Sequence, residues 1–352
     1  MTQRGILGLG FATLVVMIVA LLYTGGGDEA PPADGELLLP GLREHINGID
    51  AIDILSAGSV VDARLRRDGD RWRVDNLHGY EADFRRVHDL LRALAVAVKA
   101  EPRTAMAEWY PRLGLSDIEL EDARGRLVAF PGRDLPAVIV GDADDTTGGR
   151  YVRVVGEAQS WLSDQPLDLP DLTVDWAERA VMDIPASELA EVTILHADGD
   201  RIRLRPADEE GDQWVLLDVP EGMQAAPRWD IRPVANGLAN VRLENVRPHD
   251  EAPSDAVRAL YVTRDGLNFV VNLFSDDDGN WAHFSVSAEP AAVREAEDSD
   301  DNESQGDDQR LLADAAAVDA RLSPWQFSLS QRKFETMTRR QAALLVPVES
   351  DE

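Results

Sequence analysis

Residues 49–74 have the sequence IDAIDILSAGSVVDARLRRDGDRWRV, and a related stretch, LAEVTILHADGDRIRLRPADEEGDQW, occupies residues 189–214. Apolar and polar residues alternate in both stretches, which predicts strands with one buried face. A Gly-Asp pair then leads to a tryptophan, Trp72 in the first stretch and Trp214 in the second, which we expect to point into the core. The separation of roughly 140 residues is that of a domain rather than of a short repeat. The sequence therefore predicts two copies of one module.

Each copy also has a predicted helix and further strands. In the first copy, apolar residues recur at helical spacing behind Asp83, a candidate N-cap: Val87, Leu90, Leu91, Leu94 and Val98. A weaker helix is predicted over Ile231–Leu238 in the second copy. Strands are predicted over Ile118–Leu120, Leu127–Phe130, Ala137–Gly141, Tyr151–Val155, Leu260–Thr263, Leu267–Phe274 and Trp281–Val286. The predicted fold class is α+β, with two duplicated modules of antiparallel sheet, each covered by a helix, after one N-terminal transmembrane helix.

The N-terminal region contains that predicted helix. Residues 6–23, ILGLGFATLVVMIVALLY, carry no charge, and as a helix they would be ~27 Å long, close to the ~30 Å hydrocarbon core of a bilayer. Arg4 precedes the segment, whereas acidic residues follow it, so the positive-inside rule places residues 1–5 in the cytoplasm and the body in the periplasm. A cleaved signal peptide is the alternative, but the segment lacks an Ala-x-Ala cleavage site. The predicted location is the inner (cytoplasmic) membrane, with a single span.

Composition divides the remainder of the chain. A flexible tether is predicted for residues 24–44, and a linker for residues 166–185. They bound a first module, residues 45–165, and a second module, residues 186–345, which is followed by a tail at residues 346–352. Within the second module, residues 291–309 are acidic with few apolar side chains and are predicted to be disordered. A helix over Leu311–Leu322 and a strand over Trp325–Leu329 are predicted after this insert.

The charge and the cysteine content exclude several classes of function. The chain has 65 acidic and 35 basic residues and a net charge of −30, so it repels phosphate backbones and is not expected to bind nucleic acid. It contains no cysteine, which excludes a lipoprotein anchor and any disulfide bond. The acidity favours solubility, although binding of a basic partner or of cations is the alternative.

Catalytic motifs are missing from the sequence. The six histidines show no i, i+4 pair of the kind that binds zinc on a helix, and there is neither a Gly-x-Ser-x-Gly elbow nor a phosphate-binding loop. Two acidic clusters, Asp142–Asp145 and Asp276–Asp278, offer oxygen ligands for Ca²⁺ but lack EF-hand spacing, so hairpin turns are the favoured interpretation. Trp109 and Tyr110 are predicted to pack in the core, and capping of a groove is the alternative. No catalytic, cofactor-binding or metal-binding residue is therefore predicted.

Several motifs resemble the family known as domain of unknown function 4340, over most of residues 45–285. The resemblance depends on the N-terminal anchor, the strand at Ile52–Leu55 and the helix through Leu90–Leu94. It also depends on these motifs: Arg71-Trp72-Arg73-Val74, Trp109-Tyr110, Leu113-Gly114-Leu115, Val138-Ile139-Val140-Gly141, Gly148-Gly149-Arg150-Tyr151-Val152-Arg153 and Trp161. Members of this family are often encoded beside gliding-type ABC transporter genes. The resemblance implies an accessory envelope component and supplies no catalytic residues.

Three functions follow as hypotheses. The first is a membrane-anchored, non-enzymatic periplasmic interaction protein, whose partners by resemblance are an ABC permease and its large-domain auxiliary protein. The second is an envelope hydrolase or carbohydrate-active enzyme that uses a pair of carboxyl groups. The third is a passive ligand-binding module with an apolar groove between the two predicted modules. A deep pocket with convergent polar groups, or an exposed apolar patch, would distinguish among them.

Overall fold

The computed structural model describes residues 35–208, 211, 213–289 and 301–348, with side chains omitted for residues 301–307. Helices and strands both contribute to the fold, and the strands form antiparallel sheets. The helices are α1 Pro40–His45, α2 Phe84–Val96, α3 Arg228–Ala235, α4 Asp301–Leu322 and α5 Gln331–Met337. The strands are β1 Ala51–Ser56, β2 Val60–Asp68, β3 Arg71–Val74, β4 Tyr80–Glu81, β5 Lys99–Pro102, β6 Arg126–Ala129, β7 Val138–Ala143, β8 Arg150–Val154, β9 Ser160–Ser163, β10 Ala180–Met182, β11 Leu189–Leu195, β12 Arg201–Pro206, β13 Trp214–Leu216, β14 Met223–Ala225, β15 Val241–Arg242, β16 Asn245–Pro248, β17 Val257–Thr263, β18 Leu267–Asp276, β19 Gly279–Ala288, β20 Trp325–Ser328 and β21 Leu345–Pro347.

Two large sheets contain most of these strands. The first has nine strands in the order β4-β3-β2-β1-β6-β7-β8-β9-β5, and the second has eight in the order β13-β12-β11-β17-β18-β19-β20-β16. Two small sheets pair β10 with β15 and β14 with β21. Apolar residues of the central strands occupy the core because alternate side chains of a strand share one face. Ile54 opposite Val128 in β1–β6 and Ile194 opposite Ala259 in β11–β17 are examples.

The predicted inward positions of the two tryptophans are confirmed, and so is the helix predicted in the first module, which is α2. Trp72 and Trp214 are both almost completely buried. Helix α2 buries the predicted apolar face, and its N-terminus is capped because the backbone N–H of Arg86 donates to Oδ1 of Asp83 at 3.1 Å. The second helix is displaced from its predicted position: α3 begins at Arg228 and ends at Ala235, and a 3-10 helix, Asn236–Leu238, continues from it.

The predicted strand over Ile118–Leu120 is wrong. These residues form turns, and Ile118 is nevertheless buried. Their carbonyl groups accept hydrogen bonds from the loop after β1, with Gly58 N donating to Leu120 O and Ser59 N donating to Ile118 O at 3.1 Å each. Short apolar runs do not by themselves distinguish strands from buried turns, which explains the error.

The predicted tether, linker and tail all contribute residues to helices, strands or the core. Within the predicted tether, helix α1 begins at Pro40, and Leu38, Leu39 and Leu42 are buried. Proline at the first position of a helix has a suitable backbone angle, and the three leucines supply an apolar anchor. Within the predicted linker, Leu167, Trp176 and Val181 are buried, and in the predicted tail Val346 pairs with Gln224.

The prediction of disorder over residues 291–309 is wrong for the C-terminal part of that range. Helix α4 begins at Asp301, so residues 301–309 are helical, whereas residues 290–300 lie outside the described residues. The helix packs against β19, and Val286 N of that strand donates to Asp319 Oδ1 at 2.8 Å.

The described chain divides into two compact units. The first contains the residues up to Val61 together with His88–Leu169, and the second contains Asp62–Val87 together with the residues from Pro170 onward. The predicted modules, residues 45–165 and 186–345, did not separate residues 62–87 from the first module. Within the second unit this segment is held by aromatic and backbone contacts: the ring of Tyr80 lies 5.1 Å from that of Trp325, and Asp83 N donates to Trp176 O at 2.8 Å.

None of the helices in the described part of the chain is long and apolar enough to cross a membrane. The predicted span, residues 6–23, lies outside the described residues.

Candidate functional site

The histidines do not converge on a catalytic or metal-binding arrangement. His196 is buried, with its Nε2 3.2 Å from Arg339 O, and His249 stacks on His283. Across the described residues, no group of three or more histidine and acidic side chains is placed to hold a metal ion. Surface grooves and cavities are therefore the remaining candidates for a site.

The two acidic clusters form hairpin turns. Asp144 Oδ1 accepts hydrogen bonds from the backbone N–H groups of Thr146 and Thr147, at 3.1 and 3.0 Å, and its Oδ2 accepts one from the Tyr151 hydroxyl at 2.8 Å. The Tyr151 hydrogen bond is the main reason that the pKa of Asp144 is lowered from its ordinary value. In the second cluster, Asp276 accepts hydrogen bonds from Trp281 Nε1 and from Arg247. Protein donors thus occupy these carboxylates, in agreement with the turn interpretation.

A groove in the first unit begins with the 3-10 helix Ala107–Leu113. The prediction that Trp109 packs in the core is wrong, since 38% of this residue is exposed, whereas Tyr110 is buried. A 3-10 helix has about three residues per turn, so successive side chains point in different directions. Tyr110 points inward, and its hydroxyl donates to Ala158 O at 2.5 Å. Trp109 is left on the outer side.

We call this feature the Trp109 groove, defined by Arg103, Thr104, Met106, Trp109, Arg112 and Leu113. Its volume is about 300 Å³, and its surface is mostly apolar. The guanidinium of Arg112 lies 4.1 Å from the centre of the Trp109 ring. Arg112 makes no ion pair with any described residue, so its charge is available at the edge of the groove. The groove can therefore accept an apolar side chain next to an acidic group.

The second unit has a larger cavity, which we call the Lys333 cavity. Its volume is about 500 Å³, and four cationic residues and one acidic residue, Glu244, contribute to its wall. The cationic residues are Arg179, Arg242, Arg332 and Lys333. Helix α5 supplies the last two, whereas Arg242 ends the short strand β15. Residues distant in sequence therefore form one polar cavity.

Lys333 is held at the end of the 3-10 helix that follows α3. Its Nζ donates to Ala239 O at 2.7 Å and to Gly237 O at 3.1 Å, with Asn236 O at 3.5 Å. Burial lowers the pKa of Lys333 from its ordinary value, and the nearby carboxylate of Asp183 opposes this effect. A cation at this position satisfies carbonyl groups that the helix end leaves without partners.

The stacked histidines of the second unit lead to a prediction about pH. The rings of His249 and His283 have centroids 3.7 Å apart, and His283 Nε2 lies 3.0 Å from Ser323 O. Burial is the main cause of the lowered pKa of His283, and His249 lowers it further, whereas Ser323 and Asp319 oppose the shift. The unfolded chain therefore binds this proton more readily than the folded chain does, so we expect the free energy of unfolding to fall as the pH drops below about 6.5.

Urea unfolding between neutral pH and mildly acidic pH measures this effect. We expect His283→Gln to show a weaker loss of stability on acidification than the unsubstituted chain. The matched control is His45→Gln, at an exposed position in the first unit, which measures the effect of replacing a histidine outside the stacked pair. Identical pH profiles for His283→Gln and the unsubstituted chain would contradict the prediction.

Fold and surface together define a mixed helix-and-sheet protein that presents an apolar groove and a basic cavity. A family model described as domain of unknown function (DUF4340) matches residues 72–259, which is more than half of the chain. The chain belongs to this family. Neither the curated proteins nor the solved structures gave a match to this chain.

The sequence indicated one of the two surface features only as an alternative. The Trp109-Tyr110 pair was the available signal for the groove, but packing in the core was the favoured interpretation. No short-range signal indicated the Lys333 cavity. Its residues are distant in the chain: Lys333 Nζ donates a hydrogen bond to Ala239 O, and the two residues lie 94 positions apart.

Proposed function

We propose that this protein is a membrane-anchored, non-enzymatic interaction protein of the periplasm, which serves as an auxiliary component of an ABC transport system. The anchor would be the uncharged segment at residues 6–23, and the charge asymmetry around it favours a periplasmic body. The proposed partners are an ABC permease and its large-domain auxiliary protein, as the family resemblance implies.

The Trp109 groove is the observation that carries the proposal. Tryptophan, methionine and arginine are enriched in protein interfaces, and tryptophan and arginine dominate binding hot spots. In this groove Trp109 and Met106 are exposed by 38% and 59%, and Arg112 lies against the indole ring. Exposure of the apolar surface of Trp109 and Met106 to water is unfavourable in free energy. A partner that covers this surface removes the unfavourable contribution.

We also infer that the two sheets arose by duplication of one module. The order β3-β2-β1-β6-β7-β8-β9-β5 in the first sheet corresponds, position by position, to β13-β12-β11-β17-β18-β19-β20-β16 in the second. The strands β3 and β13 correspond in this comparison. Trp72 is the second residue of β3, and Trp214 is the first residue of β13. A shared origin would explain both the equal connectivity and the related sequences around the tryptophans.

Substitution of Trp109 tests the interaction proposal. We expect Trp109→Ala to reduce recovery of the permease and the auxiliary protein, because truncation of an interface hot spot costs about 2 kcal/mol or more. That energy corresponds to about a thirtyfold loss of affinity. The measurement is quantitative co-purification of the full chain from native membranes, with both proposed partners identified by mass spectrometry.

The control is Trp229→Ala in the second unit, where the tryptophan is 70% exposed and lies outside the groove. This variant should recover both partners as the unsubstituted chain does. Failure of the unsubstituted chain to recover either partner would overturn the transporter proposal. Equal recovery by the two variants would overturn the role of the groove.

A further inference from the structure

We propose that the Lys333 cavity binds a small polyanion, with Arg242 and Asn240 as its hydrogen-bond donors. The cavity lies wholly within the second unit and has about the volume of many small-molecule sites. The chain has almost two acidic residues for each basic one, whereas cationic side chains outnumber acidic ones on this wall. This local reversal of charge favours anions over the cations that the rest of the surface attracts.

Two of the four cationic residues already have partners. Arg179 pairs with Asp175, with Nη1 and Oδ1 2.8 Å apart, and its Nε donates to Leu243 O at 3.2 Å. Lys333 directs its ammonium hydrogens to backbone carbonyls, so it supplies a fixed positive charge rather than a free donor. The nearby Asp183 partly offsets that charge.

Arg242 and Asn240 differ from these residues. Neither side chain makes an ion pair or a hydrogen bond with any described residue, and both are exposed. Val241 between them is fully buried, whereas its two neighbours contribute to the wall of the cavity. The backbone of Asn240 is fixed, because its N–H donates to Asp183 Oδ1 at 2.7 Å. The guanidinium of Arg242 and the side-chain amide of Asn240 therefore lie two residues apart on a backbone segment that is held in place, and both can donate to a ligand.

These groups define the chemical class of the ligand. A guanidinium forms paired hydrogen bonds with carboxylate or phosphate oxygens, and a side-chain amide can donate to the same anion. Glu244 on the wall opposes anion binding, so its charge should weaken the affinity. The ligand must carry more than one acidic group to benefit from both the Arg242 guanidinium and the positive potential of Lys333.

Calorimetric titration of the full chain in mild detergent with citrate and with pyrophosphate tests the proposal. We expect at least one of these probes to bind, and acetate at equal ionic strength to bind far more weakly. Arg242→Gln should reduce the affinity about tenfold, as expected for loss of charge-assisted hydrogen bonds. Glu244→Gln should increase the affinity, because it removes the opposing charge.

The matched control is Arg258→Gln, which removes an equal charge from an exposed position on β17, outside the cavity. The affinity of this variant for citrate and pyrophosphate should equal that of the unsubstituted chain. Absence of binding by both free probes and by cardiolipin vesicles, or equal weakening by Arg242→Gln and Arg258→Gln, would overturn the proposal. Vesicles with cardiolipin, whose headgroup carries two phosphates, distinguish the source of the anion. Recruitment that depends on Arg242 supports the site and assigns it to a lipid headgroup, whereas binding of the free probes alone assigns it to a solute.

Discussion

Replacement of Phe327 by alanine is expected to lower the free energy of unfolding by about 3–5 kcal/mol. Phe327 is fully buried in β20 and lies opposite Val246 on one side and Ala282 on the other. Its ring is 5.8 Å from that of Phe284 and 6.1 Å from that of Tyr80. The variant loses the burial of the ring and leaves a cavity among rigid strands that cannot close around it.

Urea unfolding of the full chain, followed by tryptophan fluorescence, measures this loss. The matched control is Phe84→Ala at the start of α2, where 58% of the phenylalanine is exposed. We expect that variant to change the free energy of unfolding by less than about 1 kcal/mol. A similar change in the two variants would show that Phe327 is not part of a well-packed core.

The second large effect is expected at Gly141, in the Val138-Ile139-Val140-Gly141 motif. A Cβ atom on Gly141 would overlap Leu113 O and would lie 3.0 Å from Gly114 O. These carbonyl groups belong to the Leu113-Gly114-Leu115 motif, so the two motifs meet in the structure. Gly114 has a positive φ of 68°, which favours glycine there as well. Close approach of backbone to backbone is thus the physical role of both glycines.

We expect Gly141→Ala to lower the free energy of unfolding by about 2–3 kcal/mol, because backbone atoms must shift to admit the methyl group. The matched control is Gly48→Ala, where the nearest atom to a new Cβ is in the Arg133 side chain at 3.6 Å. That distance is an ordinary contact, so the control should be close to neutral. Hydrogen exchange of β7 amides would localise the effect, and unchanged protection in Gly141→Ala would contradict it.

Much of the regular structure could be predicted because its determinants are short-range. Strands were predicted at the positions of β17, β18 and β19, and they are joined at Asp265-Gly266 and Asp278-Gly279, as hairpin turn residues indicate. The face of α2 follows from the spacing of its leucines. Strands with weak patterns were missed, however: β5 and β16 are short edge strands with mostly polar sequences.

The sequence by itself determined the family, the charge, the alternating strands and the inward positions of Trp72 and Trp214, because these depend on composition or on neighbours a few residues apart. Only the tertiary structure decided that Trp109 faces solvent while Tyr110 is buried, and that Lys333 meets the carbonyl groups of Gly237 and Ala239. The physical reason is that exposure and convergence depend on which distant segments pack together. Local periodicity carries no record of those contacts.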